Sequence, residues 1–130
     1  MPTTLKIVGI TLDSAFQVTN PMYFKVTVQN SANSFSTTPY YLQPAPAPWY
    51  PAGIWNGLDY EFGVQTSVTV TVYFELGPNA QDEAEYNSTF TFMPNSYFPQ
   101  ALTSYPSTIT FVGGNPAPDQ TKITLSVVWK

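Results

Sequence analysis

Residues Ser67 to Leu76 read Ser-Val-Thr-Val-Thr-Val-Tyr-Phe-Glu-Leu. Val68, Val70, Val72, Phe74 and Leu76 alternate without a break with Ser67, Thr69, Thr71, Tyr73 and Glu75. Successive side chains of a strand point to opposite faces. One face is therefore apolar throughout, and the other carries hydroxyls, a phenol and a carboxylate. A strand of this pattern belongs to an antiparallel sheet that covers a core on one side and meets water or a partner on the other.

Working outward, Met22 to Gln29 repeats the pattern, with Met22, Phe24, Val26 and Val28 inward and Tyr23, Lys25, Thr27 and Gln29 outward. Tyr86 to Met93 turns Tyr86, Ser88, Phe90 and Phe92 inward, with Asn87, Thr89 and Thr91 outward. Thr121 to Trp129 places Ile123, Leu125, Val127 and Trp129 on one face, and Thr108 to Val112 is a short strand before it. Leu5 to Leu12 is strand-like but apolar on both faces, as expected near a sheet-to-sheet crossing or an interface. Phe35 to Leu42 reads as one strand confined to an edge or bulge by Pro39, and Leu58 to Phe62 leads into the opening strand. Asn56-Gly57 reads as a tight turn, and a short helical turn is expected at Ala80 to Glu85. About seven or eight strands joined by turns predict an all-β, antiparallel, two-sheet Greek-key sandwich spanning residues 1–130 as one domain. Gln43 to Gly57 interrupts the pattern. Its alternating Pro44, Pro46 and Pro48 favour extended polyproline geometry, so a Pro- and aromatic-rich strap is expected across or beside the sandwich.

Composition narrows the function classes. Only 9% of the 130 residues are charged, against roughly 25% in an ordinary soluble domain. The bases are Lys6, Lys25, Lys122 and Lys130, and the net charge is −4. That argues against nucleic acid and anionic membrane surfaces, which need clustered cations. The sequence holds no Cys and no His, so thiolate chemistry, His-based triads and His-based zinc sites are excluded. In acid, protonating the eight carboxylates leaves only four lysines and the amino terminus charged. Self-repulsion then stays small, and an acid-stable protein working outside a cell in a hot, acidic setting is expected. The segment Met1 to Lys6 lacks the pattern of a secretory signal, and no apolar run approaches the ~20 residues of a spanning helix. The expectation is a soluble chain, not inserted in a membrane.

The run Leu5-Lys-Ile-Val-Gly-Ile-Thr-Leu, then Met22-Tyr-Phe-Lys-Val-Thr-Val-Gln-Asn-Ser, then Gly57-Leu-Asp-Tyr-Glu-Phe-Gly followed by Ser67-Val-Thr-Val-Thr-Val resembles the CARDB family. The resemblance covers roughly the first 76 residues. It departs from the family pattern at Ala32, where a Gly is usual, and at the inserted 43–57 strap. It implies an immunoglobulin-like sandwich with a scaffold or adhesion role and no catalytic residues.

Candidate chemistry is sparse. Asp59 and Glu61 could share one side of a strand as a carboxylate pair, or simply form a solvated strand end. Asp82, Glu83 and Glu85 form an acid cluster whose spacing matches no EF-hand loop, so a solubilising turn is preferred to a calcium site. Trp49, Tyr50 and Trp55 in the strap have three readings: rings folded back over an open sheet end, anchors of a protein interface, or a stacking platform for sugar. Tyr73, Thr69 and Thr71 on the outward face of the opening strand are candidate contact residues. Asn87-Ser88-Thr89 is a glycosylation triplet with Asn87 facing outward. No catalytic residue, metal site or cofactor is expected. The expectation is a non-catalytic structural protein of a virion or extracellular surface, contacting copies of itself or other assembly subunits. Its favoured form is a capsid-associated, decoration or turret-type component from a thermophilic host. The alternatives are an extracellular adhesion or filament module and a carbohydrate-binding module.

Overall fold

A computed structural model describes residues 2–14, 22–42, 50–76, 86–97, 105–113 and 121–130. Trp49, the helical turn expected at Ala80 to Glu85 and its acid cluster lie outside the described residues. The described strands are β1 (Thr4–Ser14), β2 (Met22–Gln29), β3 (Ser34–Ser36), β4 (Tyr40–Leu42), β5 (Tyr50–Gly63), β6 (Val68–Leu76), β7 (Tyr86–Phe92), β8 (Thr108–Gly113) and β9 (Thr121–Trp129). They form two antiparallel sheets. One has the order β5-β1-β9-β8; the other has β3-β2-β6-β7, with β4 sharing the β3 side of β2. The protein is an all-β sandwich.

The alternation of β6 sets the core. Val68, Val70 and Val72 are fully buried; Val70 and Val72 stand opposite Val28 and Val26 of β2, and Val68 stands opposite Phe92 of β7, within the same sheet. Leu5, Ile7, Ile10 and Leu12 of β1 and Ile123, Leu125 and Val127 of β9 supply the facing layer. Four details differ from the sequence expectation. First, β1 does not keep one alternation. The pairing with β9 steps from Ile7–Val127 to Gly9–Ser126, leaving Val8 as an extra residue. This bulge reverses the phase of the strand, so Leu5 and Ile7 before it and Ile10 and Leu12 after it all face inward. Apolar residues of both parities reach one core by that single insertion.

Second, Asn56-Gly57 is not a turn between strands but an irregularity inside the 14-residue β5. Gly57, Leu58 and Asp59 together oppose Val8, and Gly57 has φ +67°. The positive φ that a turn would use is spent here on a strand bulge, because β1 pairs with β5 on both sides of it. Third, residues 50–57, expected in the strap, are strand, with Tyr50 to Asn56 running against Ser14 to Gly9 of β1. Fourth, Phe35 to Leu42 is two three-residue strands. Thr37 between them is buried, its N–H donating to Val26 O and its Oγ1 accepting from Val26 N–H, each at 2.9 Å. The Thr37 side-chain oxygen thus takes the place of the carbonyl that would accept from Val26 N–H in a continuing ladder.

Aromatic rings close the flanks between the sheets. Along one flank, Phe35 stacks on Tyr60 at 4.7 Å and meets Phe62 edge-on at 5.5 Å, and Tyr40 meets Trp55 at 6.2 Å. Along the other, Phe111 contacts Phe90 at 5.4 Å and Phe92 at 5.5 Å. Tyr97, on a 3-10 turn at Pro94–Tyr97, and Tyr105 lie against Trp129, whose indole N–H donates to Pro106 O at 2.7 Å.

Candidate functional site

Strand pairing converts the outward residues of β2, β3, β6 and β7 into rows. Ser36, Thr27, Thr71 and Thr89 are consecutive cross-strand neighbours, and so are Ser34, Gln29, Thr69 and Thr91. Lys25, Tyr73 and Asn87 stand in register as a third row. Strands lie about 4.8 Å apart and same-face residues about 6.7 Å apart along a strand, so the hydroxyls form a regular grid. Neighbours within rows bond to one another: Thr27 Oγ1 and Ser36 Oγ at 3.0 Å, Thr69 Oγ1 and Thr91 Oγ1 at 3.2 Å, and Ser34 Oγ to Gln29 Oε1 at 3.4 Å. These bonds order the side chains before any partner arrives, which lowers the entropy lost on contact. Lys25 Nζ sits 5.4 Å from the Tyr73 ring centroid. The ring's negative face absorbs part of the only described cationic charge on this surface.

The opposite sheet face is different in kind. Apart from Glu75, which pairs with Tyr23 at the far end of β6, the other charged residues of the described segments lie on β1, β5 or β9 or at the carboxyl end: Lys6, Asp13, Asp59, Glu61, Lys122 and Lys130. Lys6 Nζ pairs with Asp59 Oδ1 at 2.9 Å. The hydrogen bond between them, then their mutual attraction, holds the Asp59 carboxyl below its ordinary value and raises the Lys6 ammonium. A general acid needs the reverse shift, so Asp59 is placed as an ion-pair partner, with Glu61 also exposed nearby on the same strand. Burial raises the phenols of Tyr60 and Tyr97.

The structure brings Thr69, Thr71 and Tyr73 together on the neutral grid and separates them from Trp55. Trp55 is only 7% exposed and closes the β4–β5 flank, its indole N–H donating to Thr38 O at 2.8 Å. Tyr50 opens β5 opposite Ser14, and Asn87 stands opposite Tyr73 in β7. Thr27, Gln29, Thr89 and Thr91 are legible from alternation as outward residues; Ser34 and Ser36 join them only once β3 is paired with β2.

No known protein-family model matches the chain, and no curated protein resembles it significantly in sequence. Function is therefore read from geometry and charge.

Proposed function

We propose that this chain is a non-catalytic assembly subunit that uses the hydroxyl grid of the β3-β2-β6-β7 sheet as a contact face. We read the assembly as a virion, with the chain as a capsid-associated, decoration or turret-type component of a thermophilic host's virus. One observation carries the assembly reading: a four-strand-wide sheet with two hydroxyl rows that hold no charged residue, Lys25 and Glu75 being the charges of β2 and β6 beyond them. Burying hydroxyls that already hydrogen-bond their neighbours avoids the several kcal/mol that each unpaired buried charge costs. The sparse charge of the chain, 9% of residues, supports an acidic setting for the same reason of small self-repulsion.

The size of the face says how such contacts would act. Four strands and three rows span roughly 20 Å by 20 Å, about 400 Å². That is half of the ~800 Å² that each partner gives to a standard stable interface. Many such contacts acting together suit a lattice better than a free, tight pair. A sugar-stacking role is less well supported, because Trp55 faces the core.

The test is Thr71→Lys with Thr89→Lys, which puts two charges on neighbouring strands in the middle row of the grid. Light scattering and negative-stain microscopy of the concentrated unaltered chain should show assemblies larger than a dimer. The double variant should not assemble, and its melting temperature should stay within about 3 °C of the parent because both sites are outward-facing. Assembly by the double variant equal to that of the parent would remove the grid from the contact.

A further inference from the structure

Among the described residues the two sheets end in four edges, and these are not alike. On the flank closed by Trp55 and Tyr60, both edges are spoiled for further pairing. β5 carries Pro51, two register irregularities and the exposed acids Asp59 and Glu61, while β3 and β4 are three residues each and separated by Pro39. These are the devices by which proteins stop edges from adding strands. On the other flank, closed by Phe90 and Phe111, neither edge has them. β7 (Tyr-Asn-Ser-Thr-Phe-Thr-Phe) and β8 (Thr-Ile-Thr-Phe-Val-Gly) contain no charge and no proline, and each pairs with its inner neighbour in unbroken register.

The hydrogen-bond phase of β8 shows what it offers. Val127 N–H donates to Ser107 O at 2.9 Å, so Ser107–Val127 is a bonded pair and the next, Thr108–Ser126, is not. Bonded and non-bonded pairs alternate in an antiparallel ladder. Ile109 and Phe111 therefore direct their amides toward β9, and Thr108, Thr110 and Val112 direct theirs away from it, β8 being the last strand of its sheet among the described residues. All three side chains are exposed, Val112 at 58%.

We propose that β8 is a strand-addition edge whose occupant is β8 of a second copy of this chain, joined antiparallel about a two-fold axis through Thr110. An antiparallel ladder is its own complement, so an unspoiled edge fits a copy of itself without further design. In this register Thr110 faces Thr110 and Val112 of each copy faces Thr108 of the other. No charge opposes a like charge, and the neighbouring β7 edge brings none either. Threonine pairs are already how this protein aligns strands, Thr110 with Thr124 at 3.4 Å and Thr69 with Thr91 at 3.2 Å. The inference stands on the edges and does not require the hydroxyl grid to have a partner.

Sedimentation equilibrium at about 0.15 M salt, where long-range repulsion is largely screened, tests it on the full chain. The unaltered chain should show a concentration-dependent dimer. Thr110→Lys sets two ammonium groups opposite each other on the axis and should weaken the dimer about fivefold or more. Thr110→Pro removes both central ladder bonds while sparing the β8–β9 ladder, and should weaken it about tenfold or more. Both monomers should keep the parental circular dichroism. Hydrogen exchange at Thr108, Thr110 and Val112 should be slow in the parent dimer and fast in Thr110→Lys. A parent that stays monomeric to its solubility limit overturns the proposal, as does unchanged dimerisation of both variants. If Thr71→Lys dissolves the dimer and Thr110→Lys does not, the dimer belongs to the grid, and the edge assignment fails while the grid reading stands.

Discussion

Gly53 and Trp55 are two residues apart on β5, and the indole folds back along its own strand over the glycine. A Cβ at Gly53 would overlap the six-membered ring and lie 2.6 Å from Cζ3 of Trp55. No real Cβ tolerates that approach, so Gly53→Ala must displace the ring. A tryptophan buries ~150–250 Å², worth about 4–6 kcal/mol at ~25 cal/mol per Å². Losing half of that burial costs about 2–3 kcal/mol, and losing the bond from the indole N–H to Thr38 O adds about 1 kcal/mol. The expected destabilisation is about 3 kcal/mol, roughly a 10 °C fall in melting temperature for a domain of this length. The control lies in the background. Among the described residues Gly53 does not have positive φ, so alanine is not strained there by its backbone. In a Trp55→Leu background Gly53→Ala should be neutral or stabilise by about 0.5 kcal/mol through the unfolded chain. Urea unfolding followed by circular dichroism on the four members of the cycle gives the coupling, expected at about 3 kcal/mol. A coupling below about 0.5 kcal/mol would refute the claim that the ring is what forbids a side chain at Gly53.

Two further outcomes are expected. Ser88 Oγ is buried and, among the described residues, has no hydrogen-bond partner, so Ser88→Ala should raise stability by about 0.5–1 kcal/mol in urea titration; a loss above 1 kcal/mol would mean that the hydroxyl is satisfied. Thermal melts at pH 3 and pH 7 should differ by less than about 5 °C. The sign for the Lys6–Asp59 pair runs with Asp59: its folded carboxyl is depressed, so its contribution is complete above the ordinary carboxylate value and fades as pH falls through the folded one. Lys6, being raised, keeps its share until the pH climbs past the ordinary lysine value. The pair is exposed, with the Asp59 side chain 75% accessible, and such pairs contribute little. Loss of most of the stability at pH 3 would contradict this.

The β6 pattern gave its own burial correctly because Val68, Val70 and Val72 need only one neighbouring layer to be satisfied. β1 was harder, since the bulge at Val8 exists only relative to β9 and β5 and leaves no mark beyond apolar residues of both parities. Thr37 and Pro39 hint at a break, but that Thr37 Oγ1 would stand in for a carbonyl depends on β2 beside it. Asn56-Gly57 carries a true signal for positive φ without saying whether a turn or a bulge will use it. For the grid, alternation supplies which face each threonine takes. The rows come from register between β2 and β6, about 45 residues apart in sequence, which local pattern does not contain. For Trp55 the sequence leaves open a ring folded back over the sheet, an interface anchor and a sugar platform; pairing with Ile10 of β1 buries it against the sandwich.

The ring-lined flanks have a consequence for the conditions under which this domain holds together. The sequence has no cysteine to reduce, and one ion pair is described. What keeps the sheets from parting is apolar contact, in the aliphatic core between them and among Phe35, Tyr60, Phe62, Phe90, Phe92 and Phe111 along the flanks. Apolar contact weakens on cooling and is strengthened by salts that are excluded from protein surfaces. Reductant and ionic strength should therefore leave the sandwich intact, and its closest approach to opening without heat or denaturant lies toward the cold.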